Sequence, residues 1–149
     1  MKGEKVLLYN LKGTDAGKKL QPVLLRLGVR VRVVEEAEYD QAIGVLAGVE
    51  MPEDAQAGID PETGRQPDPA AELTEPMMIL VGFTSGRLDE LLAQMRRGGV
   101  PRIGLKAMLT ATNRYWTSRQ IYTELGRERE AMEAYRQAAA EAKAAEEAE

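Results

Sequence analysis

The sequence contains neither cysteine nor histidine. Without cysteine it has no disulfide, no thiolate nucleophile and no zinc site of the cysteine type. Without histidine it has no Ser-His-Asp or Cys-His triad, no histidine-ligated metal and no side chain that ordinarily titrates near neutral pH. An enzyme made from this chain would depend on carboxylates, Lys, Tyr or hydroxyl groups. We therefore lean against an enzyme and expect no metal and no cofactor.

Aromatic residues and long apolar runs are also scarce. Phe83 is the only phenylalanine and Trp116 the only tryptophan. No apolar run approaches the ~20 residues of a membrane span, and the N-terminal residues lack the apolar core and cleavage site of a signal peptide. The formal net charge of -4 does not suggest a nucleic-acid binder. We expect a cytoplasmic protein with no membrane and no nucleic-acid contact.

Apolar periodicity divides the chain into three parts. Residues 1–49 and 76–126 carry it, whereas residues 50–75 are acidic and rich in proline, with Arg65 as their single base. Such a composition buries too little apolar surface to offset its ordering entropy. It predicts a mobile linker, and an acidic docking segment for a partner is the alternative. We expect a single α/β domain over residues 1–126.

The two periodic parts resemble each other, since each reads as strand, helix, strand, helix. Sliding one onto the other pairs Leu8 with Ile79. It also pairs Gly28 with Gly99. This repetition indicates a duplicated half-domain, and continuous apolar strands are typical of parallel sheets with helices on both faces. We predict a four-stranded, mostly parallel sheet of order 2-1-3-4, in which the half-domains meet along strands 1 and 3.

Short polar residues and one proline indicate where the first helix of each part begins. Thr14 or Asp15 is the candidate N-cap, yet Pro22 predicts either a kink or a later start near Leu20. Thr84 or Ser85 is the corresponding cap in the second part.

Residues 105–126 hold the only tryptophan beside a group of small polar side chains. Thr117 and Gln120 have the spacing of a capping box, which predicts a helix that starts at Thr117. Residues 110–113 precede it, where short polar side chains can satisfy the backbone of a turn. This corner is either a carefully built connection or a ligand site, and both interpretations stay open.

A Gly-Phe turn, a Pro-Arg-Ile-Gly-Leu-Lys stretch and a Trp-Thr helix start occur together here. The residues concerned are Gly82, Phe83, Pro101, Lys106, Leu109, Thr110, Thr112, Asn113, Trp116 and Thr117. Together they resemble an uncharacterised bacterial family, domain of unknown function 3783, most strongly over residues 76–126. Ala111 stands where many members have proline. The resemblance implies no activity, substrate or cofactor.

A ligand, if one binds, has an expected place. In open parallel sheets ligands bind beyond the carboxyl ends of the strands, where helix N-termini favour a small anion. No Walker or G-x-G-x-x-G pattern supports a nucleotide. We predict a crevice between strands 1 and 3, with further contacts from strand 4 and its turn. The candidate residues are Asn10, Lys12, Gly13, Thr14, Gly82, Thr84, Ser85, Gly86, Lys106, Thr110, Thr112 and Asn113.

Residues 127–149 form a tail rich in Ala and Glu that we expect to be helical. Met132, Tyr135, Ala139 and Ala142 recur at spacings of three and four residues, which makes a thin apolar seam. The tail is either a solvated helix or a short contact in a weak homo-oligomer.

Three functions remain for such a chain. The first is a non-catalytic regulatory or protein-interaction module, whose partner contacts residues 50–75 or the tail helix. The second is a sensor that binds a small anion between the half-domains. The third is an enzyme that uses Lys106 with Thr110, Thr112 or Asn113, and it requires Lys106 to lose its proton near neutral pH. We favour the first because it needs no unusual residue.

Overall fold

The computed structural model describes residues 3–147 and contains two units with the same order of elements. The first comprises β1 (Lys5–Tyr9), α1 (Asp15–Arg26), β2 (Arg30–Val33), a 3-10 turn (Glu36–Glu38) and α2 (Ile43–Ala47). The second comprises β3 (Met77–Val81), α3 (Ser85–Arg97), β4 (Leu105–Met108), a 3-10 turn (Asn113–Tyr115) and α4 (Ser118–Glu147).

The four strands form one open sheet in the order β2-β1-β3-β4, which confirms the predicted order. Within each unit the two strands are parallel. The central strands β1 and β3 are antiparallel, with Lys5 opposite Val81 and Tyr9 opposite Met77. The sheet is therefore mixed, and the prediction of a mostly parallel sheet is wrong.

The packing of the helices explains this direction. Residues of α1 and α3 share one buried cluster on one face of the sheet. Residues of α2 and of the first turns of α4 share the other cluster, on the opposite face. The two units are therefore related by a rotation about an axis perpendicular to the sheet, which exchanges β1 with β3 and keeps α1 and α3 on the same face. Such a rotation reverses the direction of the strand. The strand sequences could not reveal this, because both central strands are buried on both faces whatever their direction.

The helix starts follow local sequence signals. Thr14 accepts a hydrogen bond from the backbone N–H of Gly17 at 3.0 Å, so α1 begins at Asp15 and continues through Pro22. A start near Leu20 is therefore wrong.

In the second unit the first helix is capped by Thr84 and not by Ser85. The capping box before α4 is confirmed. The N–H of Thr117 donates to Oε1 of Gln120 at 2.9 Å, and the N–H of Gln120 donates to Oγ1 of Thr117 at 3.2 Å.

The two units also share their tight turns. Asn10 after β1 and Gly82 after β3 have positive φ angles of 60° and 76°. Gly28 after α1 and Gly99 after α3 have φ angles of 70° and 69°. The pairing of Gly28 with Gly99 that the sequence predicts thus holds in backbone conformation.

Residues 50–75 contain no helix or strand, yet they contact the rest of the protein repeatedly. The side-chain amide of Gln120 donates to the carbonyls of Gly58 and Pro67, both at 3.0 Å. Asp60 is buried, and Arg119 donates to the carbonyl of Ala71 at 2.9 Å. These contacts attach residues 50–75 to the start of α4. The mobility of the segment stays a prediction.

The helix α4 continues without interruption from the corner into the tail. The expected helical tail is therefore present as far as Glu147, while Ala148 and Glu149 lie outside the described residues. Between residues 3 and 147, no helix combines the length and apolar character needed to cross a membrane.

Candidate functional site

The predicted ligand residues lie in separate places. Because β1 and β3 are antiparallel, the carboxyl end of β1 and the carboxyl end of β3 point in opposite directions along the sheet. The prediction that residues 10–14 and 82–86 converge on one crevice is therefore wrong. That these residues bind a ligand stays a prediction.

At the end of β1, Asn10 and Lys12 border a cavity of about 460 Å³ that also contains carboxylates. The Asn10 amide donates to the backbone carbonyls of Leu73 and Glu75 at 2.9 and 3.1 Å. The ammonium group of Lys12 lies 4.0 Å from the carboxylate of Glu35, and both side chains are exposed. Asn10 thus attaches the strand end to residues 50–75, and the acidic surroundings disfavour an anion.

The remaining candidates beside β1 and β3 have local structural roles. The hydroxyl groups of Thr14 and Thr84 are used as helix caps. The others occupy tight turns or the first turn of α3: Gly13, Gly82, Ser85 and Gly86.

Beyond β4, Thr110 and Asn113 close a turn on each other. The N–H of Thr110 donates to Oδ1 of Asn113 at 2.8 Å, and the N–H of Asn113 donates to Oγ1 of Thr110 at 3.0 Å. The Asn113 amide also donates to the carbonyl of Met108 at 2.9 Å. The polar residues of the corner therefore satisfy its backbone, as the structural interpretation expects.

A cavity of about 340 Å³ nevertheless lies beside this turn, and we call it the corner cavity. Trp116 is buried on its wall, and within residues 3–147 its Nε1–H has no hydrogen-bond partner. The same is true of Oε2 of Glu124. The guanidinium carbon of Arg65 lies 5.2 Å from the centroid of the Trp116 ring, and Arg65 pairs with Glu124. Four predicted residues come together around this cavity: Lys106, Thr110, Thr112 and Asn113.

A second concave surface lies between the outer edge of β4 and α4, and we call it the β4 groove. It encloses about 460 Å³. An apolar cavity of about 350 Å³ adjoins it and shares Arg102 and Lys106 with it. The groove is lined by Arg102, Gly104, Leu105, Lys106, Leu125, Glu128, Arg129, Met132, Glu133 and Arg136.

The ammonium group of Lys106 lies on the side of the β4 groove and not beside the polar side chains of residues 110–113. It pairs with Met78 in the sheet, and its ammonium group donates to the carbonyl of Ile103 at 2.5 Å. Met78 and Ile103 belong to the cluster on the α1 and α3 face. Burial, and then the positive charge of Arg102, lowers the pKa of Lys106. Trp116 packs on the opposite face, so the ammonium group points away from the hydroxyls that a Lys106-dependent enzyme would use.

The charge around the groove is more positive than the net charge suggests. Residues 91–123 contain six Arg or Lys and no Asp or Glu, in a chain whose net charge is -4. Arg129 forms an ion pair with Glu75. Across the described residues, Arg102, Lys106 and Arg136 have no carboxylate within 4.0 Å. The total charge hides this acid-free run, although the run itself is visible in the sequence.

Comparison with known families matches the part of the chain that supplies most of the residues lining the corner cavity and the β4 groove. Residues 76–132 match the family model of a domain of unknown function, DUF3783. This confirms the resemblance noted from the sequence. The DUF3783 segment includes β3, α3, β4 and the first half of α4. No curated protein and no solved structure matches the chain.

Beyond the DUF3783 segment, α4 leaves the body of the protein. Every residue from 127 to 147 is exposed. Met132 and Tyr135, two members of the apolar seam, are 51% and 72% exposed. The seam therefore has no partner among residues 3–147, and it begins at the β4 groove, whose wall includes Met132.

Proposed function

We propose that this protein is a non-catalytic interaction module that binds a partner protein through the exposed part of α4 and the adjoining β4 groove. The observation that carries the proposal is the exposure of all residues from 127 to 147 in one continuous helix. We also propose that it acts in the cytoplasm and that its two units arose by internal duplication.

A long helical segment without a buried residue is an unusual feature of a compact domain. Most helical stability in proteins comes from packing an apolar face, and isolated short helices are marginal in water. The exposed seam of α4 is largely uncovered, although Met132 and Tyr135 are large apolar side chains. A partner that covers the seam would supply the packing that the helix lacks.

The proposal is tested by photo-cross-linking in the cells that make the protein. A photoreactive phenylalanine analogue replaces Tyr135 in one variant. In the control variant it replaces Leu25, which is 82% exposed on α1. We expect a discrete cross-linked protein from position 135 and none from position 25. Equal labelling from both positions, or none from position 135, would refute the proposal.

The corner cavity supports a second candidate function, a sensor of a small polar ligand. The buried Nε1–H of Trp116 and Oε2 of Glu124 have no partner among residues 3–147, although buried polar groups in proteins are nearly always hydrogen-bonded. A ligand that carries both an acceptor and a donor would satisfy both atoms if it displaced Arg65.

A thermal-shift panel of carboxylic acids, amides, sugars and nucleotides tests this candidate. A ligand present at 100 times its dissociation constant stabilises the folded state by roughly 2.7 kcal/mol. A true hit should be lost in Trp116→Phe, which removes the N–H and keeps an aromatic ring. It should be retained in Tyr135→Phe. A hit that survives Trp116→Phe places the ligand elsewhere.

A further inference from the structure

We infer that the partner presents an acidic amphipathic helix, which lies along the seam of α4 with carboxylates at seven-residue intervals. This inference rests on the proposed function, because it assigns the chemistry of the partner at the same surface. It follows from the spacing of the seam and from the side chains that flank it.

The seam has the geometry of a helix-pairing surface. Met132, Tyr135, Ala139 and Ala142 follow one another at intervals of three, four and three residues, which is the spacing of the core positions in a coiled coil. They span about 15 Å of helix. The two alanines allow a partner helix to approach closely at the far end, while Met132 and Tyr135 supply apolar area near the domain.

A row of cationic residues flanks the seam on one side, with Glu133 between Arg129 and Arg136 in the sequence. Arg129, Arg136 and Lys143 are seven residues apart, so they form a row along one side of the seam. Arg102 and Lys106 extend this positive side into the β4 groove. On the other flank the corresponding residues are Ala131, Ala138 and Ala145, which carry no charge. A helix that docks here therefore meets positive charge on one side only, and acidic residues at matching intervals complement it.

A second copy of the chain does not supply those acids. In a parallel pair of these helices the cationic row would face Ala131, Ala138 and Ala145 of the other copy, so no ion pair forms. In an antiparallel pair the cationic row would face the cationic row, and like charges repel. The flanking charges thus favour a different chain over self-association.

Nucleic acid also fits less well. Residues 127–147 carry four cationic and six acidic side chains. A polyanion that spreads over the helix surface would meet mostly acids, whereas a helix whose carboxylates are confined to one row meets chiefly the cations. The apolar seam also offers nothing to a phosphate backbone.

The experiment uses the full chain and a fluorescent four-heptad peptide, below the concentration at which the peptide self-associates. The peptide has leucine at its core positions and glutamate along the row that would face Arg136 and Lys143. A control peptide has lysine in place of each glutamate. Fluorescence anisotropy should show binding of the acidic peptide that weakens as salt is raised, and much weaker binding of the basic peptide.

Charge reversal on the protein supplies the matched control. Arg136→Glu together with Lys143→Glu should weaken the acidic peptide about tenfold and strengthen the basic one, because two attractions become repulsions. Lys18→Glu together with Arg26→Glu makes the same change in net charge on exposed positions of α1. That control should change the affinity by less than about twofold.

Several results would overturn the inference. One is equal binding of the two peptides, and another is an equal effect of the two double variants. Displacement of the acidic peptide by an oligonucleotide of higher affinity would assign the surface to nucleic acid. Dimerisation that the Arg136/Lys143 variant abolishes would assign it to a second copy. If cross-linking from position 135 succeeds while the acidic peptide fails to bind, the interaction function stands and only the partner chemistry is wrong.

Discussion

The phenol oxygen of Tyr9 and the hydroxyl oxygen of Ser118 lie 2.7 Å apart in the buried interior. Tyr9 ends β1 in the first unit, and Ser118 begins α4 in the second. Beside them Ala42 and Thr117, the residues that precede α2 and α4, form an isolated antiparallel bridge. The two units are therefore joined both across the sheet and at the starts of their second helices.

Removing one of these hydroxyl groups should destabilise the fold measurably. Tyr9→Phe leaves the buried hydroxyl of Ser118 without its partner, which should lower the free energy of unfolding by about 1–2 kcal/mol. Ser118→Ala should have a similar effect. In a urea-unfolding double-mutant cycle the double variant should lose less than the sum of the two single variants. Strict additivity would mean that the two groups do not interact.

Two glycines near helix starts should respond oppositely to alanine. A Cβ on Gly17 would lie 2.0 Å from the backbone oxygen of Leu11, whereas a Cβ on Gly86 would meet no atom within 4 Å. Gly17→Ala should cost about 2 kcal/mol or more, because the clash is with backbone. Gly86→Ala should stabilise by about 0.5–1 kcal/mol, because it restricts the unfolded chain. Chemical unfolding measures both changes, and equal responses would contradict the close approach of the Leu11 oxygen to Gly17.

Acid should weaken the link between α3 and Glu4, the residue that precedes β1. Arg87 donates from Nε and Nη2 to the carboxylate of Glu4 at 3.1 and 3.0 Å, and these bonds hold the pKa of Glu4 below its ordinary value of 4.5. A lowered pKa in the folded state contributes stability that is present above 4.5 and is lost as the pH falls through the folded-state value.

The matched test of this link compares Glu4→Gln with Glu53→Gln, a change at an exposed acid in residues 50–75. The stability difference between the unmodified protein and Glu4→Gln should shrink when unfolding is measured at about pH 3 instead of pH 7. The Glu53→Gln difference should stay small at both. A Glu4→Gln difference that does not depend on pH would contradict the ion pair.

Gln120 should protect residues 50–75 from proteolysis. Its amide donates to Gly58 and Pro67, and its carbonyl oxygen caps Thr117. Gln120→Met removes all three bonds, so it should cost about 2–4 kcal/mol and speed proteolysis within the segment. Gln66→Met, at an exposed position of the same segment, is the control. An unchanged cleavage rate in Gln120→Met would mean that the segment is already mobile, as the composition predicts.

Local signals in the sequence predicted much of the fold. The strand order followed from the repeated pattern of strands and helices, and the capping box at Thr117 and Gln120 depends only on residues three apart. The predicted direction of β3 was wrong because every residue of Met77–Val81 is buried. Its sequence is therefore equally compatible with a parallel and an antiparallel neighbour. The contacts of residues 50–75 depend on Arg119 and Gln120, far along the chain, so composition alone could not show them.

The candidate surface was harder to anticipate. The exposed seam at Met132 and Tyr135 was visible as spacing in the sequence, but its exposure depends on where the body of the protein ends. The β4 groove needs β4 at the edge of the sheet and α4 beside it. The rims near Lys12 and Gly86 were predicted to converge because the strands were taken as parallel. Their separation follows from the one antiparallel pair.

Amide hydrogen exchange tests most directly whether the exposed part of α4 is a binding element. The protein purified alone is compared with the complex captured through position 135. Alone, amides of residues 127–147 should exchange rapidly while those around Ile121 stay protected, because only the latter pack on the core. In the complex, exchange should slow across residues 129–143 and stay unchanged in α1. Slow exchange of the tail in the protein alone, or no slowing in the complex, would contradict the proposed interaction function.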